Sequence, residues 1–402
     1  MKSSKGVYKV EKQTKTENLY NQAFPLLEIN KLLAVSASKG TYDLNPSAEK
    51  EPPPGCPKIP PSLQLRLYQK QAVDSWFANQ GRGTLKMATG SGKTITALAI
   101  TTALYQKINL QVLLVVCPFR HLVTQWAREC QKFGMEPILA FETVRRWQVQ
   151  LSTQLYNVRS GNQAFVTIIT TNDTLMSEGF QSQLKYFPEK TLIVGDEAHN
   201  LGAKRRGESL PQNIGLRLAL SATPERYFDE DGTQSIYDYF GSVLQPEFTL
   251  ADAIQQGALV RYLYYPILVE LTESESRAYL KLTRSIGRML LYQQRGIDAS
   301  NIFDEDNEDL KALLMQRSRI IGSAANKLKA LRQIMAKRLH TTHTLFYCGD
   351  GSTENQHQLK AVTQILGAEL GYRVSTYTAE TTLDKRENLR RQFESGELQG
   401  LV

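Results

Sequence analysis

Ala88-Thr89-Gly90-Ser91-Gly92-Lys93-Thr94 is the stretch of sequence that decides the fold. It follows a short run with strand character and precedes Ile95 to Tyr105, a run rich in Ala, Leu, Ile and Thr that indicates a helix. A strand, a glycine loop with Lys-Thr and a helix, in this order, are typical of a phosphate-binding loop. Gly90 and Gly92 carry no Cβ, so the backbone N–H groups can approach phosphate oxygens closely.

The chemistry of this loop predicts distinct roles for its residues. Lys93 can reach the β- and γ-phosphates of a nucleoside triphosphate, and Thr94 can place its hydroxyl on Mg²⁺. The predicted nucleotide contacts from the loop are Thr89, Gly90, Ser91, Gly92, Lys93 and Thr94. The strict pattern requires Gly at position 87, where this chain has Met87, so a glycine turn before an ordinary surface lysine is the alternative.

Composition limits the protein class and the cellular setting. The chain has 402 residues, a hydrophobic share of 41% and a net charge of +8, which is consistent with about two or three globular domains and an anionic partner. No apolar run approaches the length of a membrane span, and the Lys-rich N-terminus has no signal-peptide core. The 4 cysteines have no C-x-x-C spacing, which disfavours a zinc site. We predict a cytoplasmic protein without a membrane partner.

Short apolar runs alternate with amphipathic helices between Leu63 and Pro246, which predicts an α/β fold with a parallel sheet flanked by helices. The predicted strands are Thr84–Met87, Val112–Cys117, Ala164–Thr170, Thr191–Val194 and Leu216–Leu220, and the helices between them include Tyr68–Ala78, Ile95–Tyr105 and Leu122–Phe133. Ligands bind at the carboxyl ends of the strands in such sheets. The candidate site residues follow these strand ends.

Gly195-Asp196-Glu197-Ala198-His199 follows one of these strands. Beside a phosphate loop, Asp196 can hold Mg²⁺ and Glu197 can orient and deprotonate an attacking water. His199 can link the nucleotide site to a nucleic-acid site. The alternative is a solvated acidic turn, and the zinc-protease pattern H-E-x-x-H is absent from the sequence.

Two further polar motifs lie at the same edge of the predicted sheet. Arg66 and Gln69, upstream of the loop, can recognise adenine by stacking and by a bidentate amide contact, although polar residues that open a helix would look the same. Ser221 and Thr223 follow the last strand and can relay nucleotide state to their surroundings, although a Ser/Thr turn before a proline is the alternative.

In order and spacing, these motifs resemble the superfamily 2 helicases. Arg66–Gln69, Ala88–Thr94, Asp196–His199 and Ser221–Thr223 are similar to the adenine motif and motifs I, II and III. The local sequence is closest to the xeroderma-group-B-like and the restriction- and phage-defence-associated branch. The resemblance implies a RecA-like P-loop NTPase that uses ATP and Mg²⁺. The implied catalytic residues are Lys93, Asp196, Glu197 and His199, and the implied cofactor-binding residues include Arg66 and Gln69. The implied metal ligands are Thr94 and Asp196, and the implied coupling residues are Ser221 and Thr223.

The resemblance also implies a nucleic-acid track. Cys117 to Arg120 with Gln125-Trp126 is similar to motif Ia, Ile168 to Asn172 to motif Ib, Tyr347 to Asp350 to motif IV, and Tyr377 to Ala379 to the next conserved turn. The implied nucleic-acid contacts are Pro118, Arg120, Gln125, Thr170, Thr171, Tyr347, Gly349 and Thr378. Hydroxyl and guanidinium groups suit contacts to phosphates that do not read bases. DNA is the expected partner ahead of RNA, with a nuclease or defence-complex partner in addition.

Changes in residue composition and hydrophobic pattern along the chain predict four parts. Residues 1–61 are an N-terminal extension with a proline-rich linker, 62–246 an ATP-binding lobe, 247–338 a helical bridge or insertion, and 339–402 a partial second RecA-like lobe. The acidic stretch Asn301 to Asp309 indicates solvated surface, and the basic helix after it can be a solvated face or lie along nucleic acid.

Motifs V and VI of the family are not found before Val402, and motif VI supplies the arginine finger. We therefore expect a fragment or truncated form of a larger motor. The 402-residue chain should hydrolyse ATP slowly or not at all unless an arginine is supplied from elsewhere. Three functions fit the sequence: an ATP-dependent helicase or translocase, a nucleotide-gated module that binds or remodels nucleic acid without unwinding it, and a non-catalytic scaffold. The presence of Lys93, Thr94, Asp196 and Glu197 together argues against the scaffold.

Overall fold

The computed structural model describes residues 52–227, 229–294, 308–349 and 355–402. The chain forms two compact units, one that ends at Tyr262 and one from Leu263 to Val402. The predicted N-terminal extension up to residue 51 and residues 301–307 of the acidic stretch lie outside the described residues. The predicted four-part division stays a prediction.

The first unit is built on a six-stranded parallel sheet with the order β1-β6-β5-β2-β4-β3. Its strands are β1 (Arg82–Lys86), β2 (Val112–Cys117), β3 (Pro137–Ala140), β4 (Val166–Thr171), β5 (Thr191–Asp196) and β6 (Leu216–Ser221). Strands β2, β4, β5 and β6 are buried along their whole length, as expected when helices cover both faces of a parallel sheet. This confirms the predicted α/β fold class.

The helices of the first unit are α1 (Leu67–Ala78), α2 (Lys93–Ile108), α3 (Arg120–Lys132), α4 (Val144–Arg159), α5 (Asn172–Leu175), α6 (Glu178–Gln181), α7 (Lys204–Glu208), α8 (Glu230–Phe240) and α9 (Leu250–Gln255). Short 3₁₀ helices span Leu184–Tyr186 and Ala198–Gly202. Two hydrophobic cores lie on the two faces of the sheet. Leu113 and Val115 of β2 belong to one core, and Leu114 and Val116 belong to the other, as the two-residue period of a strand requires.

The sequence patterns did not indicate β3 or α4. Strand β3 has only four residues, begins at a proline and lies at the edge of the sheet, with Leu139 partly exposed. So short a run gives little periodicity to detect. The predicted strands at the centre of the sheet coincide with β2, β4, β5 and β6 to within two residues at each end.

The described part of the proline-rich stretch contacts the first unit. Gly55 forms a β-bridge with Met135, and the Lys58 N–H donates to the Phe133 carbonyl at 2.8 Å. Cys56 is buried in the core that contains α1 and α2. Residues 55–58 are therefore held against the end of α3.

The second unit contains helices followed by a small three-stranded parallel sheet with the order β7-β9-β8. Its elements are α10 (Glu273–Gln294), α11 (Glu308–Gly322), α12 (Asn326–Met335), β7 (Thr344–Leu345), α13 (Asn355–Thr363), a π-helical turn (Gln364–Glu369), β8 (Val374–Ser375), α14 (Leu383–Glu394) and β9 (Gly400–Leu401). A small core that includes Leu366, Tyr372 and Val402 supports this sheet. None of the helices described in either unit is long and apolar enough to cross a membrane.

Candidate functional site

The glycine loop connects β1 to α2 at the carboxyl edge of the large sheet. Gly90 and Gly92 have φ angles of 79° and 86°, in the left-handed region that favours glycine. The loop is anchored to the neighbouring strand because the Met87 N–H donates to the Ser221 carbonyl at 3.0 Å. Helix α2 begins at Lys93, so its free N–H groups lie at the end of this loop.

The Lys93 side chain folds back over the loop. Its Nζ donates to the Met87 carbonyl oxygen at 3.2 Å, and the residue is 9% exposed. Burial lowers the pKa of the Lys93 ammonium, while the negative charges of Glu197 and Asp196 act in the opposite direction. The structure thus brings this lysine within electrostatic reach of both carboxylates.

The residues upstream of the loop hold its backbone. The Gln69 amide accepts from the Arg66 N–H at 3.0 Å and donates to the Ser91 carbonyl at 3.3 Å. Tyr68 donates its hydroxyl to the same Ser91 carbonyl at 2.6 Å, while its ring stacks on Phe248. No local sequence pattern predicts this contact of Tyr68, because Ser91 is 23 positions away. Arg66 is exposed, and its predicted adenine contact stays a prediction.

Replacing Gly92 by alanine is expected to impair nucleotide binding specifically. A Cβ there would lie 2.6 Å from Gln69 Nε2, so the amide would have to leave the loop. Gly161 is the matched control, because its φ is +78° and a Cβ there meets nothing within 4 Å. Both variants should lose about 1 kcal/mol of stability to left-handed strain. Only Gly92→Ala should weaken binding of a fluorescent ATP analogue, by about tenfold; equal affinities would contradict the role of the Gln69–loop contact.

Asp196 and Glu197 follow each other at the end of β5. Asp196 is 8% exposed, and burial raises the pKa of its carboxyl. Hydrogen bonds from the Trp126 indole and the Glu197 N–H oppose that rise. Glu197 has φ 47° and ψ 52°, a left-handed conformation that is unusual for a residue with a side chain. The backbone therefore changes direction at Glu197, directly after β5.

His199 connects this strand end with β6. The Asn200 amide nitrogen lies 3.0 Å from His199 Nε2 and also donates to the Glu197 carbonyl, so Nε2 is the acceptor nitrogen of the ring. Nδ1 therefore carries the proton and faces Ser221 Oγ at 3.3 Å and Glu197 Oε2 at 3.5 Å. Ser221 Oγ accepts in turn from the Thr223 N–H at 3.1 Å. The structure thus joins His199 to both predicted coupling residues.

The predicted nucleic-acid contacts of the first unit divide into exposed and buried groups. Arg120 and Gln125 are exposed on α3, and Pro118 is half-buried just before it. Thr170 is fully buried and donates its hydroxyl to the Ala140 carbonyl at 2.7 Å. Thr171 is 6% exposed, and its hydroxyl accepts from the Thr174 N–H at the start of α5. Both threonine hydroxyls are therefore occupied within the protein.

The remaining predicted contacts lie in the second unit. Tyr347 is 93% exposed just after β7. The Gly349 N–H donates to Gln358 Oε1 at 2.8 Å, and the Thr378 carbonyl accepts from the Arg386 guanidinium at 3.0 Å. Asp350, the last residue of the predicted motif IV, lies outside the described residues.

The donor groups at the strand ends fit a magnesium ion that is bound together with a nucleotide. Among the residues that the structure describes, no group of three or more His, Cys, Asp or Glu could hold a metal by itself. Mg²⁺ in nucleotide sites needs only one or two carboxylates in addition to phosphate oxygens and water. Asp196 offers a buried carboxylate within the electrostatic reach of Lys93, and Thr94 is the second residue of α2.

Comparison with known proteins shows which proteins the chain resembles. Residues 62–226 match the family described as "Type III restriction enzyme, res subunit". The "DNA 3'-5' translocase XPB2" of Sulfurisphaera tokodaii is 24% identical over 369 residues, which cover 86% of this chain and 72% of that protein. Residues 62–226 thus resemble this restriction-enzyme family, and most of the chain resembles a DNA translocase of the XPB type.

Two other relatives extend the comparison. The "Putative DNA 3'-5' helicase Rad25" of Haloarcula marismortui is 28% identical over 171 residues, but the match covers only 24% of that helicase. The structure titled "ATP-dependent Type ISP restriction-modification enzyme LlaBIII bound to DNA" has a TM-score of 0.52 and 17% identity, and covers 85% of this chain and 24% of that one. This likeness supports the predicted RecA-like fold. The matched part of the chain spans about a quarter of both proteins.

Proposed function

We propose that this chain is the nucleotide- and DNA-binding core of an ATP-dependent translocase or helicase. The observation that carries the proposal is the convergence of Lys93, Asp196 and Glu197 at one edge of the sheet, with both carboxylates acting on the lysine charge. A phosphate-binding cation beside two acidic groups is the arrangement that triphosphate hydrolysis requires. Relatives named as a DNA translocase and a DNA helicase support DNA as the partner.

The residues of the site would share the work of hydrolysis. Lys93 donates to the phosphate oxygens of ATP, together with the N–H groups of the loop and of the α2 N-terminus. Glu197 orients the attacking water and accepts its proton. Asp196 and Thr94 would hold Mg²⁺, which when bound supplies positive charge to the phosphate oxygens. His199 donates toward Ser221 Oγ, so a change at the nucleotide would move the end of β6 through this contact.

The exposed face of α3 would bind the nucleic-acid backbone. Arg120 lies at the first position of this helix, with 71% of its side chain exposed and a long 3.5 Å pair to Glu142. A guanidinium so placed can bind phosphate without losing a strong internal contact. Thr170 and Thr171 would support this surface from below, since their hydroxyls are bound internally. In the second unit, Tyr347, Gly349 and Thr378 stay predicted nucleic-acid contacts.

The decisive experiment measures ligand binding and turnover on the same chain. Purified protein is titrated with a fluorescent ATP analogue and Mg²⁺, and then with fluorescein-labelled single- and double-stranded DNA and RNA. We expect binding of the analogue, salt-dependent DNA binding stronger than RNA binding, and slow ATP hydrolysis that DNA stimulates. Failure of the chain to bind the analogue would refute the proposal.

Replacing Arg120 by glutamine is expected to weaken DNA binding in a salt-dependent way. Each phosphate contact adds about 0.9 to the slope of log K against log salt for duplex DNA, or about 0.7 for single strands. Arg120→Gln should lower the slope by about that amount, independently of DNA sequence. Arg159→Gln is the matched control, because Arg159 is also exposed but ends α4 beside Gln111, at the opposite edge of the sheet. Equal slopes for the two variants would exclude Arg120 from the track.

A second function has one observation in its favour. The family match to a restriction enzyme subunit supports a nucleotide-gated DNA-binding subunit that serves a nuclease in a restriction or phage-defence system and does not unwind DNA. A strand-displacement assay on a forked duplex and a triplex-displacement assay distinguish the two functions. Release of the third strand without unwinding indicates translocation, and loss of both signals with retained DNA binding indicates a gated binding subunit. A cytoplasmic location fits either function.

A further inference from the structure

A tryptophan from α3 reaches across the core to the catalytic strand. The indole Nε1 of Trp126 donates to Asp196 Oδ2 at 2.8 Å, although the two residues are 70 positions apart in sequence. Trp126 is 1% exposed and Asp196 is 8% exposed, so this hydrogen bond is shielded from water. A hydrogen bond to a charged acceptor is stronger than a neutral one, and burial strengthens it further.

The two other tryptophans show what an ordinary buried indole does in this protein. Trp76 Nε1 donates to a backbone carbonyl, that of Arg217, at 3.1 Å. Trp147 Nε1 has no hydrogen-bond partner within the residues that the structure describes. All three rings are at most 1% exposed. Burial alone therefore does not explain why Trp126 faces the carboxylate of Asp196.

The geometry around Asp196 fixes its carboxylate from both sides. Oδ2 accepts from Trp126, and Oδ1 accepts from the Glu197 N–H at 3.0 Å. Two donors on different oxygens prevent rotation of the carboxylate plane. Each oxygen keeps a further lone pair, so the group can still bind a metal or a water. Groups that orient a metal ligand in this way commonly determine metal affinity.

Helix α3 also carries the proposed DNA contacts. Arg120 is its first residue and Gln125 precedes Trp126, and both are exposed while Trp126 faces the core. At 1.5 Å per residue, Arg120 and Trp126 are about 9 Å apart along the helix. One rigid element therefore presents the DNA surface on one side and the indole donor on the other.

We propose that Trp126 is a positioning residue that holds Asp196 for the metal of the nucleotide complex and couples metal affinity to DNA binding through α3. This inference rests on the proposed function, because it requires that Asp196 binds a metal together with ATP. Trp126 is buried and acts through Asp196. Its effect passes through one hydrogen bond, which a substitution by phenylalanine removes while it keeps an aromatic ring in the core.

The test compares Trp126→Phe with Trp147→Phe in the 402-residue chain. Both variants lose the same indole N–H from an equally buried ring, but only the first breaks a hydrogen bond. Mn²⁺ replaces Mg²⁺, and the free ion is followed by electron paramagnetic resonance in the presence of a slowly hydrolysed ATP analogue. Binding of the analogue without metal and thermal unfolding are measured in parallel.

We expect Trp126→Phe to weaken Mn²⁺ binding in the nucleotide complex at least tenfold, within the range that such outer partners show. Trp147→Phe should stay within about twofold of the wild type, and metal-free nucleotide binding should be unchanged in both. Equal Mn²⁺ affinities in the two variants would overturn the inference and leave the proposed function intact. A wild-type chain that binds no nucleotide would instead overturn the proposed function.

The coupling is measured by repeating the Mn²⁺ titrations with a saturating single-stranded oligonucleotide. By linkage, DNA and the metal–nucleotide complex must change each other's affinity by the same factor, typically about 5- to 150-fold for coupled sites. We expect this factor in the wild type and in Trp147→Phe, and a factor close to one in Trp126→Phe. The coupling would be excluded if DNA did not change the Mn²⁺ affinity of the wild type. It would also be excluded if DNA changed the Mn²⁺ affinity of Trp126→Phe by the same factor as in the wild type.

Discussion

Replacing Lys93 by methionine should weaken binding of the ATP–Mg²⁺ complex about a hundredfold. Methionine keeps most of the apolar stem of the side chain but removes the ammonium that donates to the Met87 carbonyl. A hydrogen bond from a charged donor contributes about 1.5–3 kcal/mol, and Lys93 can make such bonds to two phosphates. A loss of about 3 kcal/mol corresponds to roughly a hundredfold change in Kd.

The matched control for this variant is Lys86→Met. Lys86 ends β1, seven residues before Lys93, and its ammonium pairs with Glu225 at 2.6 Å and Glu247 at 3.3 Å. Partly exposed ion pairs contribute about 0–1 kcal/mol, so this variant should change the stability slightly and leave nucleotide affinity within about twofold of the wild type. Isothermal titration with a slowly hydrolysed ATP analogue measures the nucleotide affinity of both variants. Similar affinities for the two variants would mean that Lys93 does not bind phosphate.

The sequence predicted those parts of the fold that local patterns encode. The phosphate loop lies between β1 and α2 because glycines with positive φ and a helix-forming run are adjacent in the sequence. The buried central strands were predicted because their apolar runs have strand length. Strand β3 gave no such signal, since its four residues alternate in burial at the sheet edge. Its place is determined by pairing with β4, which a single local window does not reveal.

The same distinction applies to the candidate site. The acidic motif at the end of β5 could be recognised from its residue types, and sheet order then brings its charges to Lys93. The contacts of Tyr68 and Trp126 could not be predicted, because they join residues 23 and 70 positions apart. For Thr170, the residue type suggested a contact that the structure does not favour. A threonine suits a phosphate contact, but β4 lies between β2 and β3, and the Thr170 hydroxyl donates to the Ala140 carbonyl. The roles of the site residues stay predictions.

Replacing Arg217 by methionine should lower the stability of the first unit by about 3 kcal/mol. Arg217 lies in β6 and is 5% exposed, and its guanidinium donates to the carbonyls of Ile214, Tyr239 and Gln212 at 2.7, 3.0 and 3.0 Å. The guanidinium carbon also lies 3.9 Å from the centroid of the Tyr239 ring. A buried acceptor that loses its donor costs about 1–3 kcal/mol, and this substitution removes the donor from three carbonyls.

Thermal unfolding measures this effect directly. For a unit of this size, 1 kcal/mol changes the Tm by about 2–4 °C, so a decrease of about 6–12 °C is expected. The transition of the first unit is identified as the one that a slowly hydrolysed ATP analogue raises. Arg205→Met is the matched control, because Arg205 is exposed on the short helix α7 and its loss should change the Tm by less than about 2 °C. Arg217 lies on β6, between the strands that carry the phosphate loop and the acidic motif. A Tm equal to that of the control would mean that other contacts anchor the loop at Gln212 to Ile214.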